Sequence, residues 1–201
     1  MAEAHVEEWS RTKRAKAAAL LMLGWVGLLW LIEAVDYATG HALDEYGIVA
    51  REPESLLRSP LAAFLHFGFD HVASNSVPLL VFGFVAALSG IRRFLAVSAL
   101  IIVADGIGTW LISESDSITT GASGLVFGLF GYLVVRGFVE RKILGIVVGV
   151  VIGLYWGAGI FYGLLPADDG ISWQGHLCGL AAGVVTALFF RRPKPVAALT
   201  L

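Results

Sequence analysis

Residues 143–165 read ILGIVVGVVIGLYWGAGIFYGLL, 23 positions without one charged side chain. A helix needs roughly 20 apolar residues to cross about 30 Å of hydrocarbon. This stretch therefore reads as a transmembrane helix, and its neighbours repeat the pattern. Apolar runs extend from Ala17 to about Val35, broken only by Glu33, and from about Val72 to Leu88, with a lead-in from Leu61. Others cover Phe94 to Ile112 (containing Asp105), Ala122 to Val135, and about Ile171 to Phe190. Strict two-residue alternation is absent, which excludes a barrel and leaves helices, since lipid tolerates only those two.

The composition agrees. Of 201 residues, 57% are hydrophobic and 15% charged, and the mean hydropathy is +0.79. A soluble domain averages about a quarter charged. Those proportions exclude a disordered chain, a basic nucleic-acid binder and almost any soluble globule. The lone cysteine, Cys178, excludes an intrachain disulfide and any two-cysteine or four-cysteine zinc site. The fold class expected is all-α: a polytopic bundle of six transmembrane helices. Residues 17–191 form the membrane domain, flanked by tails at 1–16 and 192–201, and residues 36–60 form its one long loop.

Orientation follows from charge. Basic residues at 11, 13, 14 and 16, at 92 and 93, at 136, 141 and 142, and at 191, 192 and 194 all fall on one side of six spans. Only Arg51 and Arg58 fall on the other, among Asp36, Asp44, Glu45, Glu52, Glu54, Glu114, Asp116, Asp168 and Asp169. The positive-inside rule then places both ends in the cytoplasm of a cell-membrane protein. A cleaved signal peptide fits poorly, because the first run is too long and has no small-residue cleavage site.

Polar side chains inside spans are costly and point to function. Counting about 1.5 Å per residue from the basic ends, Ser123 lies roughly 20 Å up from Arg136, and His176 roughly 22 Å up from Arg191. Asn75 lies roughly 26 Å up from Arg92. Three helices thus bring a hydroxyl, an imidazole and a carboxamide to similar depth. Gly124, Gly128 and Gly131 share one helix face, as do His176, Gly179 and Gly183, and such faces permit close backbone approach. Taken alone, each residue has a plainer reading. Ser123 could cap a helix, His176 could make an interhelical hydrogen bond, and the glycine pairs could simply pack.

Gly121-Ala122-Ser123-Gly124, with Gly131-Tyr132 downstream, is similar to the GxSG helix start of the rhomboid family of intramembrane serine proteases. His66-Phe67-Gly68-Phe69-Asp70-His71 with Asn75 resembles its HxxxxHxxxN motif, and Gly175-His176-Leu177-Cys178-Gly179 with Gly183 its (A/G)HxxGxxxG motif. The resemblance spans about residues 17 to 190, with the motifs in family order. Two positions depart from it. Phe127, four after the serine, stands where bacterial relatives often carry a tyrosine under the catalytic histidine, and the first external loop lacks their Trp-Arg pair.

The serine needs a base to become a nucleophile, and His176 at matching depth supplies one. With no carboxylate near it in sequence, the expectation is a Ser123–His176 dyad. The Ser123 N–H at a helix start is one oxyanion donor; the resemblance implies Asn75 and His71 as the others. His66 is expected to hold a loop or network, Phe127 to support His176, and Gly121, Gly124, Gly179 and Gly183 to shape the site. Asp105 should hydrogen-bond inside the bundle, and Cys178 should pack. A metal on His66, His71 and His176 fits poorly, because a spacing of five misaligns the first two; no metal or cofactor is expected. The polar run 113–120 suits a wet cavity leading to Ser123. The resemblance implies cleavage of single-pass membrane proteins in or near their membrane segments. The alternative is a catalytically silent relative that binds client helices. No nucleic-acid partner is expected, and the lipid bilayer is the surrounding medium.

Overall fold

A computed structural model describes residues 2–115, 117–166 and 170–190, with side chains from residue 11 onward. The expected tail at 192–201 and the acidic residues Asp116, Asp168 and Asp169 lie outside the described residues. Seven helices run along the described chain: α1 (Ala2–Ala38), α2 (Pro53–Ala62), α3 (Phe69–Ala87), α4 (Ile91–Ile112), α5 (Ser123–Glu140), α6 (Ile143–Gly163) and α7 (Trp173–Phe189). Five of them are long and apolar enough to cross a membrane; α7, with 17 residues, is shorter, about 26 Å at the usual rise. Helix α1 starts well before its apolar run. The stretch from Glu7 to Leu23 is rich in Ala, Leu, Glu, Lys and Arg, with neither Gly nor Pro to stop it.

Helix α5 is the hub. Gly124, Leu125, Val126, Phe127, Gly128, Leu129, Gly131, Tyr132 and Leu133 are buried along it, whereas α6 leaves Ile143, Leu144, Leu154, Tyr155 and Tyr162 exposed. Apolar side chains exposed along a helix this apolar are a lipid-facing surface. The α5–α7 contact is made of glycine. A side chain on Gly179 would strike the Gly124 carbonyl, and one on Gly183 the Gly128 carbonyl, so the two backbones touch directly. Gly183→Leu is expected to force these helices apart, and the folded fraction in detergent should fall sharply against the parent; an unchanged thermal midpoint would refute the contact.

The other end of α5 is clasped by charge. The buried Glu140 carboxylate meets Arg93 at 2.7 Å and Arg136 at 3.1 Å, with Lys142 at 3.5 Å. Arg93 Nε also donates to the Tyr132 hydroxyl at 3.0 Å. We call this the basic end, and the opposite end, which carries the site, the acidic end.

Segment 36–60 is more structured than a loop. Pro53 sits at the start of α2, with Glu54 in its first turn, both favourable to a helix N-terminus. A two-residue strand β1 (Ile48–Val49) pairs antiparallel with β2 (Ile118–Thr119), the only sheet among the described residues. Arg51, with a left-handed φ of 62°, donates from Nη2 to the Ser113 carbonyl and the Ser115 hydroxyl, both at 2.8 Å. Trp110 Nε1 donates to the Glu52 carbonyl at 2.8 Å, and the Gly121 N–H to the Ala62 carbonyl at 2.9 Å. These bonds join residues 51–62 to the end of α4 and to the stretch that leads into Ser123.

Candidate active site

The chain enters α5 through Gly121, whose φ of 124° favours glycine. The absent side chain matters here as well. A methyl on Gly121 would lie 2.7–2.8 Å from the His71 ring and 3.6 Å from Ser123 Oγ. The histidine ring and the serine hydroxyl therefore flank one point. Ala122 is the N-cap, and no side chain caps the helix, so the Ser123 hydroxyl is not used as a cap. Its backbone N–H belongs to the first turn, where donors lack intrahelical acceptors.

His176 lies on the first turn of α7, one residue after Gly175, whose N–H is capped by Ser172 Oγ at 3.2 Å. The imidazole is buried and stacks on Phe127, with ring centroids 4.0 Å apart and planes 9° from parallel. Its Nδ1 lies 2.7 Å from the Gly163 carbonyl oxygen. A carbonyl only accepts, so Nδ1 carries the hydrogen and Nε2 keeps its lone pair. Gly163 must be glycine for this. A methyl there would sit 2.6 Å from Phe127 Cζ and 3.1 Å from His176 Nδ1. The carbonyl of Gly163 was not legible in the sequence, because backbone atoms look alike in every residue.

Ser123, His176, His71, Asn75 and Phe127 all line one cavity of about 740 Å³, walled by α3, α5, α6, α7 and residues 118–120. The Asn75 Nδ2 amide is buried without a hydrogen-bond partner among the described residues. Such a donor is costly to leave bare, unless something in the cavity accepts from it. The Phe67 N–H approaches His71 Nδ1 at 3.4 Å, which leaves the proton on Nε2, the nitrogen beside Gly121. Two side-chain donors on successive turns of α3 thus face the serine's cavity.

His66 lies outside it. Its Nε2 accepts the Ala122 N–H at 3.2 Å, and its ring meets His71 edge-on at 5.0 Å. Burial, and then the neighbouring His71, push the imidazole down from 6.5 to about 3. It therefore stays a neutral acceptor at physiological pH and holds the turn before Ser123. Asp105 packs against Gly124 and accepts from Thr109 Oγ1 at 3.2 Å. Cys178 fills the space over Gly108.

The chain is similar to known proteins. A model of the Rhomboid domain matches residues 53–193. An uncharacterized Mycobacterium tuberculosis protein is 39% identical over 193 residues, covering 91% of this chain and 80% of its own. An uncharacterized Mycobacterium leprae protein is 36% identical over 195 residues, covering 93% of this chain and 77% of its own. The Bacillus subtilis rhomboid protease GluP is similar over a shorter stretch, 28% identical over 157 residues, 75% of this chain and 29% of that one. With a domain match over most of its length, this multi-pass membrane protein belongs to the Rhomboid family.

Proposed function

We propose that the chain is an intramembrane serine endopeptidase in which Ser123 is the nucleophile and His176 its general base. The observation that carries the reading is the state of His176: ring flat on Phe127 and Nδ1 on the Gly163 carbonyl, which makes Nε2 the nitrogen with the lone pair. A carboxylate as third member is then unnecessary, because the backbone oxygen fixes the tautomer that such a group usually sets. Ser123 Oγ attacks the scissile carbonyl as its proton passes to His176 Nε2. The imidazolium is held by Gly163 O and by the face of Phe127, a cation–π contact worth on the order of 0.5–2 kcal/mol. The oxyanion is met by the Ser123 N–H and by the Asn75 and His71 side chains. His176 then protonates the departing amine, and water resolves the acyl-enzyme.

The substrates proposed are single-pass membrane proteins cut in or near their spans, with the site toward the outer face of the cell membrane and both termini cytoplasmic. The experiment is turnover of a generic single-pass substrate by the purified protein, with a fluorophosphonate probe to find the labelled serine. Labelling elsewhere than Ser123, or none with intact protein, overturns the reading.

Asn75→Ala is expected to lower kcat by on the order of 10²–10³ with KM nearly unchanged, since its amide contributes only once charge develops. A raised KM with unchanged kcat would make Asn75 a binding residue instead.

A further inference from the structure

We propose that the acidic end of α1 is a binding site for one first-row divalent cation, of the zinc or manganese class, held by Glu33, Asp36, His41 and Asp44. Nothing in the proteolytic reading uses these residues. The ligand atoms of Asp36, His41 and Asp44 all lie within 4.8 Å of one another. His41 Nδ1 stands 3.0 Å from Asp36 Oδ2 and 3.8 Å from Asp44 Oδ2. Around an ion bound at about 2.1 Å, tetrahedral donors lie roughly 3.4 Å apart. The three donors need only small adjustments to meet that spacing.

Glu33 points to a ligand independently. It precedes Asp36 by three residues on α1, so both project from one face. It is 1% exposed, yet neither carboxylate oxygen has a hydrogen-bond partner among the described residues. The charges of Asp36, Asp44 and His41 act on it and the Gly68 backbone lies beside it; the 4.8 Å group gathers the other three donors, and a rotation of the Glu33 side chain brings it in as the fourth ligand. Asp44 Oδ1 is likewise buried and unpartnered. Three carboxylates against one imidazole leave an excess of negative charge at the end of a membrane span, and a divalent cation neutralises it. The backbone is shaped to bring His41 back. Asp36 Oδ1 accepts the Leu43 N–H at 2.7 Å, and His41 itself adopts a φ of 65°.

The mixed donor set favours a borderline ion over calcium or magnesium, because imidazole suits zinc and its neighbours while Ca²⁺ and Mg²⁺ prefer oxygen alone. Through Gly68, the N-cap of α3, the ion would tie α1 to the helix that carries His71 and Asn75.

The test uses the full chain, purified in detergent without a histidine tag, stripped with chelator and dialysed against buffered Zn²⁺, Mn²⁺, Ca²⁺ or Mg²⁺. Bound metal is counted and the thermal midpoint recorded. One Zn²⁺ or Mn²⁺ per chain is expected. A midpoint rise of roughly 5 °C should accompany metal at 100 times Kd. His41→Ala, at a half-exposed position that folding tolerates, should weaken binding at least about 10-fold, and Asp36→Asn and Glu33→Gln should do the same or more. No stoichiometric metal in the parent overturns the proposal. So do parent-like binding in His41→Ala or Glu33→Gln, and loss of binding in His71→Ala, which would move the ion to the cavity. A Ca²⁺-only response overturns the assigned class of ion.

Discussion

Replacing Ser123 by alanine is expected to reduce turnover to background, about 10⁴-fold or more below the parent, while expression, insertion and thermal midpoint stay close to it. The two halves of this expectation have separate causes. Chemistry is lost because the attacking hydroxyl is gone, while the His71 ring that flanks its place remains. Stability is kept because the Ser123 side chain caps nothing: Ala122 is the N-cap, and no side chain caps α5. Alanine is also the best helix former, and the packing of α5 on α7 is made by Gly124 and Gly128, which are untouched. Cleavage by the purified variant at the parent's rate would remove Ser123 from the mechanism. A variant that is inactive and also unfolded would show that the residue is structural, and the midpoint separates that case.

Much of the fold was legible because lipid leaves few choices. A chain with apolar runs of this length has to form helices, and the runs at 143–165 and 94–112 locate α6 and α4 to within a few residues. The glycine faces were legible too, since Gly124 and Gly128 recur at one period and Gly179 and Gly183 at the same one. Segment 36–60 was not. Its organisation rests on Arg51 reaching the Ser113 carbonyl and on Trp110 donating to the Glu52 carbonyl, contacts between positions about 60 apart that no local pattern announces. The site divides in the same way. Side chains proposed to carry chemistry, such as Asn75 and His71, show themselves by being polar where lipid penalises polarity. The group that fixes the His176 tautomer is a backbone oxygen, and only the path of α6 brings it there. The Glu33 cluster lies between these cases. Each carboxylate is visible in the sequence, but the turn through Gly40 and His41 that gathers them depends on left-handed backbone angles.

Phe127→Ala is expected to slow acylation by on the order of 10²–10⁴, the range a positioned general base contributes, whereas Phe127→Tyr should retain activity. Phe127 follows Ser123 by one turn of α5, so its ring rises beneath the cavity on the nucleophile's own helix. There it lies 4.0 Å from the His176 ring at 9° and closes one face of the imidazole. The Gly163 carbonyl fixes one edge of the ring, and Phe127 fixes its plane. Removing the aromatic face lets the imidazole tilt about the Gly163 hydrogen bond into the vacated volume and carry Nε2 away from Ser123. The phenolic hydroxyl common in relatives is not part of that restraint, because stacking uses the ring face. The measurement is kcat, KM and the fluorophosphonate labelling rate for both variants beside the parent. A mere packing defect would lower the thermal midpoint and be relieved by cooling. A misplaced base lowers kcat and labelling together at temperatures where the protein is fully folded. Parent-like labelling in Phe127→Ala would mean that His176 is oriented without the stack, which would then be packing without a catalytic consequence.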